Sequence, residues 1–167
     1  MIRLSQNSPK WKNVLIGDSK TTIGEAGCLI SSLCAIESKW AQYFHTKPDE
    51  AAKAWKFVSV PDDPEPKYLN WISTDFKGME FVKRVRKYEP EEVERHCKDE
   101  DYGVAVQVQT QGGGVHWMAC WGWGTMRKPV CYDSWDGGIL WNPWRRNGKY
   151  KRPLGYAIMK RKEDKKK

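Results

Sequence analysis

Three residues of this chain have the types and settings for nucleophilic acyl chemistry: Cys28, His116 and Asp133. Cys28 follows Gly27 where a helical pattern begins. A thiol there meets the positive end of the helix dipole and free backbone N–H groups, which favour the thiolate, the nucleophilic form. His116 opens a strand-like run just after Gly112-Gly113-Gly114, at an accessible sheet edge from which a base can reach a helix start. Asp133 stands 17 residues further on, in the next strand-like run. If the two strands are neighbours, its carboxylate can fix the imidazole tautomer and stabilise the imidazolium. Singly, each has a blander explanation. Cys28 could be a small core residue, as Cys34 is read to be; His116 could be structural; Asp133 could belong to the turn around Asp136-Gly137.

These side chains need a helix and a sheet to hold them. Residues 26–44 carry the strongest helical pattern, with Ala26, Leu29, Ile30, Leu33, Cys34, Trp40, Ala41 and Phe44 at three- and four-residue steps. A second helix is expected from 48 to 57, with Thr46 as its cap, Pro48 in its first turn and Asp49 and Glu50 at its positive end. The run Pro61 to Pro66 reads as a loop, followed by a short helical piece near 67–72. A strand at 79–86 and a helix from Pro90 to Lys98 come next. Strands are then expected at 104–109, 115–123, 130–134 and 154–159. Val104, Val106 and Val108 alternate strictly, and the three glycines make a hairpin connection to the next strand. Helices first and an antiparallel sheet after them make an α+β plan.

The order of cysteine at a helix start, histidine in a strand and aspartate in the next strand resembles the papain-like cysteine peptidases of the bacteriocin-processing (double-glycine-leader peptidase-like) group, bacterial or phage type. The matching pieces are Gln6 to Trp11, Thr22 to Ser32, Val104 to Val108, His116-Trp117, Gly122, and Asp133 to Gly137. They span most of residues 1–160, expected to form one peptidase domain, with a basic tail at 161–167. The resemblance implies a papain-like fold, an N-terminal helix packed on an antiparallel sheet. It also implies Cys28 as nucleophile, His116 as general base and acid, and Asp133 as the group that orients it. An oxyanion hole would come from the Cys28 N–H and an upstream glutamine. Two positions depart from the pattern. Thr22 stands six residues before the cysteine, where such proteins often have that glutamine, so Gln6 is the substitute candidate. Ser134 follows the aspartate where proline is common.

Ten tryptophans are present, six of them between 117 and 144. Trp117, Trp121 and Trp123 share a strand face and are expected in the core. Trp135, Trp141 and Trp144, in a loop beside Asp133, are candidates for substrate contact. The net charge of +8 is unevenly distributed: eleven Lys or Arg against two acids lie from Arg145 onward, so the body is close to neutral. The basic end reads either as a solubilising, frayed tail or as a contact for a polyanion. The five cysteines are odd in number and lack CxxC spacing, so reduced thiols are expected and neither a metal nor another cofactor is. His116 and Cys120 would supply only two of four metal ligands. No apolar run is long enough for a membrane helix, and the first eleven residues lack a secretory h-region. Cytoplasmic synthesis is expected, with release by other means or association with a virion if the substrate lies outside the cell.

The function read from these features is a cysteine peptidase or amidase acting on a peptide or, given the cationic end and the aromatic loop, on the peptide of bacterial peptidoglycan, as a phage endolysin does. Two alternatives stand beside it: an inactive papain-like binding module, favoured by Thr22, and a basic-tailed nucleic-acid-binding protein, disfavoured by the neutral body.

Overall fold

The computed structural model describes residues 1–41, 45–124 and 128–163. Among these residues, four helices and eight strands follow in chain order: α1 (Ile23–Ala26), α2 (Cys28–Glu37), α3 (Pro48–Ala54), β1 (Phe57–Val60), β2 (Asp63–Leu69), β3 (Met79–Val85), α4 (Pro90–Lys98), β4 (Tyr102–Thr110), β5 (Val115–Gly124), β6 (Lys128–Asp133), β7 (Ile139–Trp141) and β8 (Tyr150–Arg161). The architecture is α+β. Six antiparallel strands form the main sheet in the order β3-β8-β4-β5-β6-β7, and β1 and β2 form a separate hairpin.

The helix expected over 26–44 is divided and shorter. Gly27 closes α1 by donating its N–H to the Ile23 carbonyl at 2.7 Å. A Cβ at Gly27 would stand 2.5 Å from that same oxygen, so only glycine fits the junction. A new helix then starts at Cys28, and it ends at Glu37. Residues 42–44 of the expected helix, Phe44 among them, lie outside the described residues. From Ile30 onward α2 is buried on every side. Its last residue, Glu37, is a carboxylate in the core, accepting the N–H groups of Thr46 and Gly78, each at 2.6 Å. Thr46 is not the cap expected of it, because it lies one residue before the N-cap position. Lys47 precedes α3 instead, its N–H bonded to Glu50 at 3.1 Å, and Pro48 occupies the first turn. The helix ends at Ala54, three residues short of expectation.

The proline-rich stretch is a second correction. Residues 63–69 are strand β2, and both the loop at 61–66 and the helical piece at 67–72 are replaced by this hairpin. Pro64 and Pro66 are tolerated because β2 has a partner on one side only, so the missing N–H groups cost no ladder bonds.

Elsewhere the expected elements form. Strand β3 and helix α4 lie where the sequence puts them. Val104, Val106 and Val108 all point to the α4 side of the sheet, where they pack with Met118, Cys131, Ile158 and Val93. The opposite face carries Ala105, Trp117, Ala119, Tyr132, Ala157 and Met159 against α2 and the N-terminal segment. Full burial of one such Leu or Met side chain is worth about 1.5–3 kcal/mol. The tryptophan stripe holds only in part. The ladder between β5 and β6 shifts between Cys120 and Gly122. Past that irregularity the alternation is reset: Trp117 faces α2, Trp121 is 40% exposed, and Trp123 packs with the α4-side core.

The basic C-terminal region is mostly not a frayed tail. Residues 150–161 form β8, between β3 and β4 in the sheet. Residues 164–167 of the expected tail lie outside the described residues. No helix among the described residues is long and apolar enough to cross a membrane.

Candidate active site

Cys28 is the first residue of α2, so its N–H is one of those a helix leaves unpaired, and its thiol lies at the dipole's positive end. The helix is held to the sheet directly beneath. The Ser32 hydroxyl donates to the Trp117 carbonyl at 3.1 Å, and the Ser134 hydroxyl donates to the same oxygen at 2.8 Å. One carbonyl thus ties the cysteine helix, the histidine strand and the residue after Asp133 together.

His116 is the second residue of β5 and Asp133 the last of β6. Met118 pairs across the ladder with Asp133, which makes His116 the diagonal neighbour of the carboxylate. The contact forms: His116 Nε2 lies 2.8 Å from Asp133 Oδ1. Ser134 Oγ, at 3.5 Å from the same nitrogen, is too distant to compete. Nδ1 is the ring nitrogen Asp133 leaves unengaged, and Cys28 lines the same cleft, near enough to favour the charged imidazole.

Asp133 is wholly buried and fully partnered. Besides His116, its Oδ1 accepts the Trp135 N–H at 3.0 Å. Its Oδ2 accepts Lys149 Nζ at 2.6 Å and the Tyr150 hydroxyl at 2.7 Å. Burial pushes the carboxyl up, but the bonds from His116, Lys149 and Trp135 outweigh it and hold it well below the usual carboxylate range. The same balance acts on His116. Burial disfavours its charged form, yet the hydrogen bonds and charges of Asp133 and Cys28 prevail, and its pKa is raised to about 9. Burial, the bond to Asp133 and that residue's charge push the Tyr150 phenol up, so it remains a donor.

These groups open into a cleft of about 610 Å³ between α2, the β1–β2 hairpin and the ends of the main-sheet strands. Gln6 lines it beside Cys28 and His116. Its backbone N–H is fastened to the Ser134 carbonyl at 2.7 Å, which brings the N-terminal segment to the site. The side chain is buried, and Nε2 donates to the Gly24 carbonyl at 2.9 Å. That acceptor fixes which end of the amide is nitrogen, and one hydrogen of the NH2 group remains uncommitted. Thr22 is engaged elsewhere, its N–H and hydroxyl both donating to Glu25, at 2.7 and 2.9 Å.

Of the three loop tryptophans, only Trp135 reaches the cleft, half exposed. Trp141 is 63% exposed on the edge strand β7 and lines no part of the cleft. Trp144 packs under the α4-side core against Tyr88, ring centroids 5.3 Å apart. Lys149 and Tyr150 are functional neighbours that sequence reasoning missed. They belong to the stretch read as excess basic charge, and nothing in their spacing ties them to Asp133. Arg84, Trp71 and Tyr68 also line the cleft without having been singled out.

A scan against protein-family models finds none that matches the chain, and a search of curated proteins finds no match either. The geometry of the site is therefore what supports a functional reading.

Proposed function

We propose that this chain is a papain-like cysteine peptidase or amidase that cleaves an amide bond with Cys28 as nucleophile, His116 as base and acid, and Asp133 as the orienting carboxylate. The observation that carries this is the His116 ring, held through Nε2 by a buried carboxylate in the same cleft as a thiol at a helix start. A merely structural histidine needs neither the thiol nor four donors on its carboxylate partner.

In the reaction, His116 Nδ1 takes the thiol proton and Cys28 Sγ attacks the substrate carbonyl carbon. The new C–S bond forms as the carbonyl π pair moves onto oxygen. The Cys28 N–H and the spare hydrogen of Gln6 Nε2 would be the donors to that oxyanion. Collapse breaks the C–N bond, and the imidazolium gives its proton to the leaving nitrogen. Water, deprotonated by His116, then hydrolyses the thioester and restores the thiol. Gln6 at the cleft supports an active enzyme despite Thr22, since it would serve where the family pattern has a glutamine at position 22. The substrate class we propose is a peptide, with bacterial peptidoglycan stem peptides as the specific candidate; Trp135, which lines the cleft, would be the ring that touches it.

The test is the rate of Cys28 alkylation by iodoacetamide between pH 4 and 9. Wild type is expected to react at pH 6 at least tenfold faster than His116→Ala. Equal rates in the two proteins would sink the pairing, and peptide cleavage persisting in Cys28→Ala would sink the peptidase.

A further inference from the structure

The cleft wall holds three cations, Lys67, Arg84 and Lys149, and two of them are already spent. Lys67 pairs with Asp63 at 2.8 Å, and Lys149 bridges Asp133 and Asp136 at 2.6 and 2.9 Å. The acid in the wall is spent too, since Glu25 accepts both the N–H and the hydroxyl of Thr22. Arg84, on β3, has no carboxylate partner among the described residues. Its guanidinium carbon lies over the Trp117 ring at 5.4 Å from the centroid, and Trp117 in turn meets Trp71 at 6.1 Å. The charge is therefore held against an aromatic wall in the same cleft as the proposed base. Loss of hydration there and the nearby Arg86 charge both disfavour its protonated form, and the charge of an incoming anion would offset them.

We propose that Arg84 is a specificity residue that takes a carboxylate of the substrate peptide, so that the enzyme selects substrates that present one there. This rests on the peptidase reading above. The planar guanidinium matches a carboxylate in bidentate fashion, and the Trp117 face pre-orients it. Two sources offer that chemistry: an acidic side chain of the substrate, or the free carboxylate of a chain end.

Four epoxysuccinyl dipeptide probes separate them: Glu or Gln as the variable residue, each with a free or an amidated C-terminus. The second-order rate of Cys28 labelling is read by intact mass. Wild type is expected to favour a charged probe over its neutral counterpart by about tenfold, the scale of one charge-assisted hydrogen bond. A Glu-over-Gln preference assigns the side chain, and a free-over-amidated preference assigns the chain end. In Arg84→Gln the ratio should fall to near one, and in Arg84→Lys to a value between. Rates in wild type that ignore both charges overturn the proposal, as does a ratio unchanged in Arg84→Gln. Iodoacetamide labelling of wild type, run in parallel, distinguishes the failures: a reactive, His116-dependent Cys28 with no charge preference sinks the role of Arg84 alone, whereas an inert Cys28 sinks the nucleophile.

Discussion

Tyr150 lies parallel to His116, ring centroids 5.4 Å apart and planes within 9°, while its hydroxyl donates to the carboxylate that holds His116 Nε2. The imidazole is thus fixed by a stacking surface and by a carboxylate that the same tyrosine helps to fix. Tyr150 is a positioning residue in this arrangement. Tyr150→Phe keeps the ring and loses one of four bonds to Asp133; Cys28 alkylation at pH 6 should fall by a few fold. Tyr150→Ala should cost clearly more, with a shifted pH profile. Equal rates in the two variants would mean that stacking contributes nothing.

Asp133→Asn tests the carboxylate. The amide keeps the size of the side chain but removes the charge that favours imidazolium. The alkaline limit set by His116 near pH 9 should move down toward the ordinary histidine value of about 6.5. The His116 ring resonances, followed by NMR through a pH series, report this directly. A midpoint that stays near 9 would exclude Asp133 as a main cause.

Global stability should carry two pH limbs with opposite signs. His116 has a folded pKa above its unfolded value, so its contribution is complete below about pH 6.5 and is lost as pH rises through about 9. Asp133 has a folded pKa below its unfolded value, so its contribution is present above about pH 4 and is lost as pH falls further. Urea midpoints across this range should therefore decline at both ends. His116→Ala should flatten the alkaline limb; if that limb is unchanged, its origin lies elsewhere.

The spacing between α2 and the sheet depends on Gly103, where an added Cβ would lie 2.2 Å from Ile36 Cγ2 and 3.2 Å from the Trp40 ring. Gly103→Ala should destabilise the fold by about 1–3 kcal/mol through overpacking. The expected signature is a lower urea midpoint with an unchanged slope. A midpoint equal to wild type would show that α2 can move away at little cost.

Local pattern made the sheet legible. Strict alternation at Val104, Val106 and Val108 and the triple glycine defined β4, β5 and their connection, because period-two burial and turn chemistry are properties of neighbouring residues. Cys28 and His116 could be singled out for a similar reason: a helix start and the end of a hairpin are local features. The division at Gly27 and the strand in the proline-rich stretch were not legible. The first follows from the close approach of Gly27 to the Ile23 carbonyl, the second from β2 having an open edge.

By itself, then, the sequence determined an α+β chain with a thiol at a helix start and an imidazole and a carboxylate in consecutive strands. Only the tertiary structure decided that these three meet, because the meeting depends on the β5–β6 register and on the Trp117 carbonyl that ties helix to sheet. It also decided that Gln6 reaches the cleft, that Trp135 does and Trp141 and Trp144 do not, and that Lys149 and Tyr150 serve Asp133. Those are long-range relations fixed by which surfaces pack and which buried polar groups must find partners, and spacing along the chain does not encode them.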